Sequence, residues 1–199
     1  MVGNSGNNQL VDGDGGDTLT GAGGADVLYG GRGSDTIVIN ASNIAALATN
    51  TGNNTQVIAR IDDGSGIDTL QLDGAGLLLD FSAISGPAIQ NIEKIDLTGS
   101  GNNTLKLSLI DMLQSFDNSN VFNSSNTTSG LTATVSKNQL MVDGDTGDNV
   151  VLTGFANWTT GTNVVATFGG VTHTYVAYNH NTSAQQLLID QLVTVSAVL

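Results

Sequence analysis

"DGDGGDTLTGAGGADVLYGGRGSDTIV", residues 12–38, divides into three blocks of nine, each a glycine-rich acidic turn followed by a short apolar run. With "GNSGNNQLV" (3–11) set above them, the registers agree. Gly6, Gly15, Gly24 and Gly33 share one column, Asn8, Asp17, Asp26 and Asp35 a second, and Leu10, Leu19, Leu28 and Ile37 a third. An apolar residue every nine positions fits neither the 3.6-residue period of a helix nor the alternation of a long strand. It fits an all-β solenoid of very short strands joined by tight turns.

The spacing has a chemical reading. If each block is one turn plus one strand and alternate blocks lie on the same side, residues eighteen apart stack at the strand spacing of about 4.8 Å. Asp17 then faces Asp35, and Asn8 faces Asp26. Two oxygens that far apart can share one calcium ion, whose bonds to oxygen run to about 2.3–2.6 Å. Without the ion, two carboxylates about 5 Å apart repel by roughly 3 kcal/mol at an intermediate effective dielectric. The metal reverses that sign.

Five Lys and Arg stand against eighteen Asp and Glu, a formal charge of -13. Nucleic acid and anionic membrane are therefore poor partners, and cations are good ones. There is no cysteine, so neither disulfides nor thiolate zinc sites contribute. The start, "MVGNSGNN", has no apolar leader and no run approaches eighteen apolar residues, so neither a signal peptide nor membrane insertion is expected. The chain opens inside a repeat, which suggests the tail of something longer. Aromatic residues make up only 5%, with 26 glycines and the single proline Pro87, a composition that suits β-turns better than a helical bundle.

After Val38 the period breaks. Residues 39–60 read as an excursion with a short helix from Ser42 to Ala48, and "DGSGIDTLQ" (63–71) is one further repeat facing an earlier turn that the sequence does not identify. "TGSGNNTLKL" (98–107) keeps the repeat columns but places Asn103 where the acid belongs, and reads as a rung that kept its turn and lost its metal. "SLIDMLQSF" (108–116) is a helix capped by Ser108 with Asp111 three residues on, covering an edge of the sheet. Residues 117–130 are a polar loop. Asp143, Asp145 and Asp148 crowd into six residues between two strands and form a candidate second calcium loop. The remainder reads as a hairpin turning at Gly169-Gly170 and two closing apolar strands.

The repeats resemble the RTX family. "IEKIDLTGSGNNTLKLS", "MVDGDTGDNVVL" and "YNHNTSAQQLLIDQLVTVSAVL" resemble the C-terminal end of giant RTX adhesins of Gram-negative bacteria. The resemblance implies a calcium-bound parallel β-roll over residues 1–154, continuing into a β-rich type I secretion signal at 155–199 with one or two short helices. Asp17, Asp26, Asp35 and Asp68 would supply carboxylates, with Asn8 in the equivalent place. Main-chain carbonyls of the preceding turns, at Asp12 and Asp14, Gly21 and Gly23, Gly30 and Arg32, and Asp63 and Ser65, would complete the shells. Asn8 and Asn103 replace acids, and Asp12, Ala22 and Asp63 replace glycines, so weak or empty first and last turns are expected. The implied protein is a secreted, non-catalytic, monomeric part of a surface adhesin acting in cell adhesion and biofilm. Its partners would be calcium ions and a type I apparatus of ABC exporter, adaptor and outer-membrane channel.

Two other classes compete. The chain has neither H-E-x-x-H nor G-x-S-x-G, and His173 and His180 make a poor zinc pair, yet RTX tails also sit on secreted hydrolases and polysaccharide-modifying enzymes. A glycan-binding solenoid face is the other, with Trp158 as its one stacking candidate.

Overall fold

Glycine and aspartate end each apolar run within a few residues, so the first strands are short and the chain turns back at once. The computed structural model describes residues 1–49, 59–84, 86–116, 137–168 and 171–198. The Gly169-Gly170 turn, the loop at 117–130 and residues 50–58 of the excursion lie outside the described residues. The strands are β1 (Gln9–Val11), β2 (Thr18–Thr20), β3 (Val27–Arg32), β4 (Thr36–Ile39), β5 (Arg60–Ser65), β6 (Thr69–Leu72), β7 (Leu78–Asp80) and β8 (Ile89–Gln90). They continue as β9 (Lys94–Asp96), β10 (Thr104–Leu107), β11 (Asn138–Asp143), β12 (Asn149–Thr153), β13 (Trp158–Phe168), β14 (Val171–His180), β15 (Gln185–Asp190) and β16 (Thr194–Val198). Two helices, α1 (Ala41–Ala48) and α2 (Leu109–Ser115), interrupt them.

Three sheets result, ordered β1-β3-β5-β8, β16-β12-β10-β7 and β13-β14-β15-β11-β9-β6-β4-β2. All pairings are parallel except those joining β13 to β14 and β14 to β15. The chain winds between the first sheet and the long one from β1 to β6, visits the third, first and long sheets in turn with β7, β8 and β9, and then winds between the long sheet and the β7-containing one. Each pass places its central apolar residue on the one before: Leu19, Ile37, Leu70, Ile95, Val142 and Ile189 stand side by side in six neighbouring strands, all buried. Stacking this close needs glycine in the turns. Gly33 and Gly66 have φ of 129° and 153°, and a Cβ on either would run into the carbonyl oxygen of the glycine one turn earlier.

The repeat at 63–71 stacks on residues 30–38, with Thr36 opposite Thr69 and Val27 opposite Arg60. The winding therefore resumes after the excursion in register with the strands before it. Helix α1 begins one residue before the expected Ser42: Asn40 caps it, and Asn43 Oδ1 accepts the Asn40 N–H in return. Helix α2 starts at Ser108 with Asp111 completing a capping box, and it packs on β8, the end strand of the first sheet. There Phe116 meets Phe81 with ring centroids 5.1 Å apart. Strands β15 and β16 pair with β11 and β12, so hydrogen bonds of two sheets cross the boundary expected at residue 154.

Because Ile37 is fully buried between Leu19 and Leu70 in the stacked apolar column, Ile37→Ala is expected to lower unfolding free energy by about 2–5 kcal/mol. Val165→Ala, at an exposed position, should change it by no more than about 0.5 kcal/mol. Urea unfolding of both variants at saturating calcium measures the difference.

Candidate metal centre

The winding lays its turns out in rows. Row one precedes the strands of the long sheet and contains Asp17, Asp35 and Asp68; row two precedes the strands of the first sheet and contains Asn8 and Asp26. Within each row the main chain of one turn holds the acid of the next. The Asp17 N–H donates to Asp35 Oδ1 and the Asp35 N–H to Asp68 Oδ1, both at 2.8 Å. The Asn8 N–H donates to Asp26 Oδ1 at 2.7 Å. Both facing pairs expected from the eighteen-residue spacing therefore form, and Asp68 joins row one thirty-three residues after Asp35.

Row one does not stop there. The Asp68 N–H donates to Glu93 Oε2 at 2.9 Å, and Glu93 is buried. Glu93 occupies the acid column of a fourth turn that has lost its glycines, and sequence reasoning missed it. The only signal was an acid two residues before an apolar anchor, shared by Asp35 with Ile37, Asp68 with Leu70, and Glu93 with Ile95.

Asp35, Asp63 and Asp68 offer oxygens that all lie within 4.8 Å of one another, and the three residues are 1%, 0% and 1% exposed. Asp63 stands at the glycine position of its repeat, so its contribution is a side chain where only a carbonyl was expected. Both its oxygens, and Asp35 Oδ2, are buried without a hydrogen-bond partner. Gly30 makes room for them: a Cβ there would collide with Asp63 Oδ1 and lie 2.7 Å from Asp35 Oδ2 and from the Asp63 carbonyl. Burial first, then the charges of Asp68, Asp35, Glu93 and Asp62, push the Asp63 carboxyl up to about 8. At the outer end of the row, Asp17 is raised by desolvation and by neighbouring Asp12 and Asp35. Asp14 instead faces solvent, 4.0 Å from Arg32.

The chemistry of this donor set fits a hard divalent cation. Every group is an oxygen, several are anionic, and an uncompensated buried carboxylate is costly. Asp35, Asp63 and Asp68 would hold such an ion, with main-chain carbonyls at Gly30, Arg32 and Ser65 bordering the same turns. The Arg32 and Ser65 carbonyls already accept the Gly15 and Gly33 N–H groups, which ties the turns together.

The other candidate positions are organised differently. In row two, Asp26 Oδ2 accepts a hydrogen bond from Asn43 Nδ2 at 2.8 Å, above the Gly21 and Gly23 turn. Asn103 is buried, accepting from the Leu77 N–H and donating to the carbonyls of Gly74 and Leu97. Its turn thus keeps the repeat's shape with an amide inside.

Asp143, Asp145 and Asp148 do not converge. Asp148 accepts from the main-chain N–H groups of Asn103 and Asp145. Asp143 points to the opposite face of the long sheet, where the Tyr175 hydroxyl donates to it and Lys94 lies 3.9 Å away. Burial raises its carboxyl despite those two partners. His173 pairs with Asp190 at 2.9 Å, while His180 packs edge-on to buried Trp158, so the two histidines share no site.

Two outcomes follow for the Asp35–Asp63–Asp68 cluster. Gly30→Ala should abolish ion binding there, read by calorimetric titration with calcium. An ion entering this cluster must also displace the proton that Asp63 holds up to about pH 8. Apparent affinity should therefore fall as pH drops below about 8, by up to about tenfold per unit. Asp63→Asn should flatten that dependence, and an equally steep profile in the variant would contradict the assignment.

No curated protein and no solved structure matches the chain. The family comparison matches residues 2–37 to four copies of the RTX calcium-binding nonapeptide repeat, which the chain carries in front of the turn that holds buried Asp63 and Asp68.

Proposed function

We infer that this chain is a metal-gated folding module of a secreted protein, a calcium-loaded parallel β-roll at the C-terminal end of a large RTX adhesin. One observation carries the reading: buried carboxylate oxygens without hydrogen-bond partners on Asp35, inside the last matched nonapeptide repeat, and on Asp63 in the turn stacked on it. Carboxylates gathered this way oppose folding where calcium is scarce and favour it where calcium is plentiful. A protein exported as an unfolded chain benefits from that difference. The β-rich region at 155–199 is the proposed type I secretion signal, read unfolded by the exporter, after which its closing strands β15 and β16 join the winding as its last turn. The module itself is proposed to be non-catalytic, with cell-surface attachment supplied by other parts of the protein.

No helix among the described residues is long and apolar enough to cross a membrane. A sugar-stacking role for Trp158 has no support in its position, because the ring is buried against His180.

Circular dichroism in EDTA, followed by a calcium titration with magnesium as control, tests the gating. The expected result is a coil-like spectrum that converts cooperatively to β between roughly micromolar and millimolar calcium. A spectrum fully β in EDTA would sink it. Asp17→Ala combined with Asp35→Ala should remove high-affinity calcium uptake from row one, with unchanged stoichiometry refuting the pairing. Removing residues 171–199 should retain the protein in producing cells, and export at normal yield would refute the secretion part of the reading.

A further inference from the structure

Gly21 and Gly30 hold the same place in successive repeats, five residues before Asp26 and Asp35. Opposite chemistry meets them. A Cβ on Gly30 would run into carboxylate oxygens of Asp63 and Asp35. A Cβ on Gly21 would lie 2.8 Å from Asn43 Nδ2 and 2.9 Å from Asp26 Oδ2. The hollow of row one is thus lined by oxygen, whereas that of row two is filled by an amide nitrogen.

The amide is held on every side. Asn43 Nδ2 donates to Asp26 Oδ2 at 2.8 Å and to the Gly24 carbonyl at 3.3 Å, and Asn43 Oδ1 accepts the Gly23 N–H at 3.0 Å. With the Asn8 N–H on Oδ1, both oxygens of Asp26 have partners. Asn43 itself is 3% exposed and fixed by the capping box of α1, the helix that the excursion inserts between the second and third turns. An –NH2 group presents two donors, so it can satisfy a carboxylate and a carbonyl that a hard cation would otherwise bridge. The same solution recurs in the turn preceding β10, where Asn103 Nδ2 bridges the carbonyls of Gly74 and Leu97 at 3.1 Å each.

We propose that Asn43 is a resident surrogate for the cation: α1 seats its amide in the Gly21–Asp26 turn and keeps row two closed to metal. Ion uptake is thereby confined to row one, and the Gly21–Asp26 turn is a latent site for a hard divalent cation with Asp26 as its carboxylate. This rests on the calcium reading of row one. Helix α1 acts as an internal stopper, and the chain's calcium stoichiometry is set by one side of the winding.

The test counts bound calcium per chain by equilibrium dialysis and atomic emission on the intact wild type, Asp26→Asn and Asn43→Asp. Asp26→Asn should bind as many ions as the wild type, because Asp26 already has its partners. Asn43→Asp should bind one more, because a second carboxylate beside Asp26 restores the demand for an ion. Loss of an ion in Asp26→Asn, or an unchanged count in Asn43→Asp, overturns the proposal. Asn43→Ala gives a second readout that adds no charge. Its thermal midpoint should fall below that of the wild type and be raised by added calcium by more than the wild-type midpoint is. A calcium response equal to that of the wild type counts against the latent site. A wild-type chain that binds no calcium at all would refute the reading of row one instead.

Discussion

Parallel winding places each residue about 4.8 Å from its counterpart one turn away, and whatever a column contains, it contains in contact with itself. For Leu19, Ile37, Leu70, Ile95, Val142 and Ile189 this is favourable, because each apolar side chain is buried by the next. For Asp17, Asp35, Asp68 and Glu93 it is unfavourable, since like charges at that spacing repel and burial amplifies the repulsion. The rise of the Asp63 carboxyl to about 8 expresses the same conflict at one residue. The polar arrangements of the neighbouring turns avoid it or use it.

Three solutions appear. Row one keeps its charges and assembles an all-oxygen cluster whose deficit a cation can meet. Row two and the Asn103 turn substitute a side-chain amide, which bridges the same kinds of oxygen without adding charge. Asp148 is the third case: two main-chain N–H groups occupy its oxygens, so it needs neither an ion nor an amide. The outer face of the long sheet follows the same logic. There Asp96, Asp143 and Asp190 stand in neighbouring strands, and each has a partner of its own, Gln71, Tyr175 and His173 respectively. Those last two contacts also fasten β14 to the winding beneath it.

The uneven distribution of these solutions gives the module its asymmetry. Where amides and main-chain donors close the turns, packing alone supports the strands. Where carboxylates meet carboxylates, their repulsion opposes packing. The two regimes share one continuous apolar interior, so under the proposed function cation binding on one edge of the winding would be coupled to the order of the whole.

The nine-residue period by itself determined the short strands, the stacking of Asp17 on Asp35 and of Asn8 on Asp26, and the apolar column, because a fixed period in a parallel winding leaves no freedom in what stacks on what. Local capping chemistry likewise determined where α2 begins, at Ser108, and Asn103 in an acid column marked a turn without a carboxylate. Tertiary structure decided what depends on distant chain segments. Asp63 became a side-chain donor only because Gly30 lies over it from the preceding turn, thirty-three residues earlier. Glu93 joined row one although its turn has no glycine signature, since register with β6 placed it there. Asp143 is a neighbour of Asp145 and Asp148 in sequence but not in space, because strand alternation sends it to the outer face while the Asp145 N–H donates to Asp148 Oδ2. Asn43 reached Asp26 from a helix outside the repeats, a contact that no local pattern encodes.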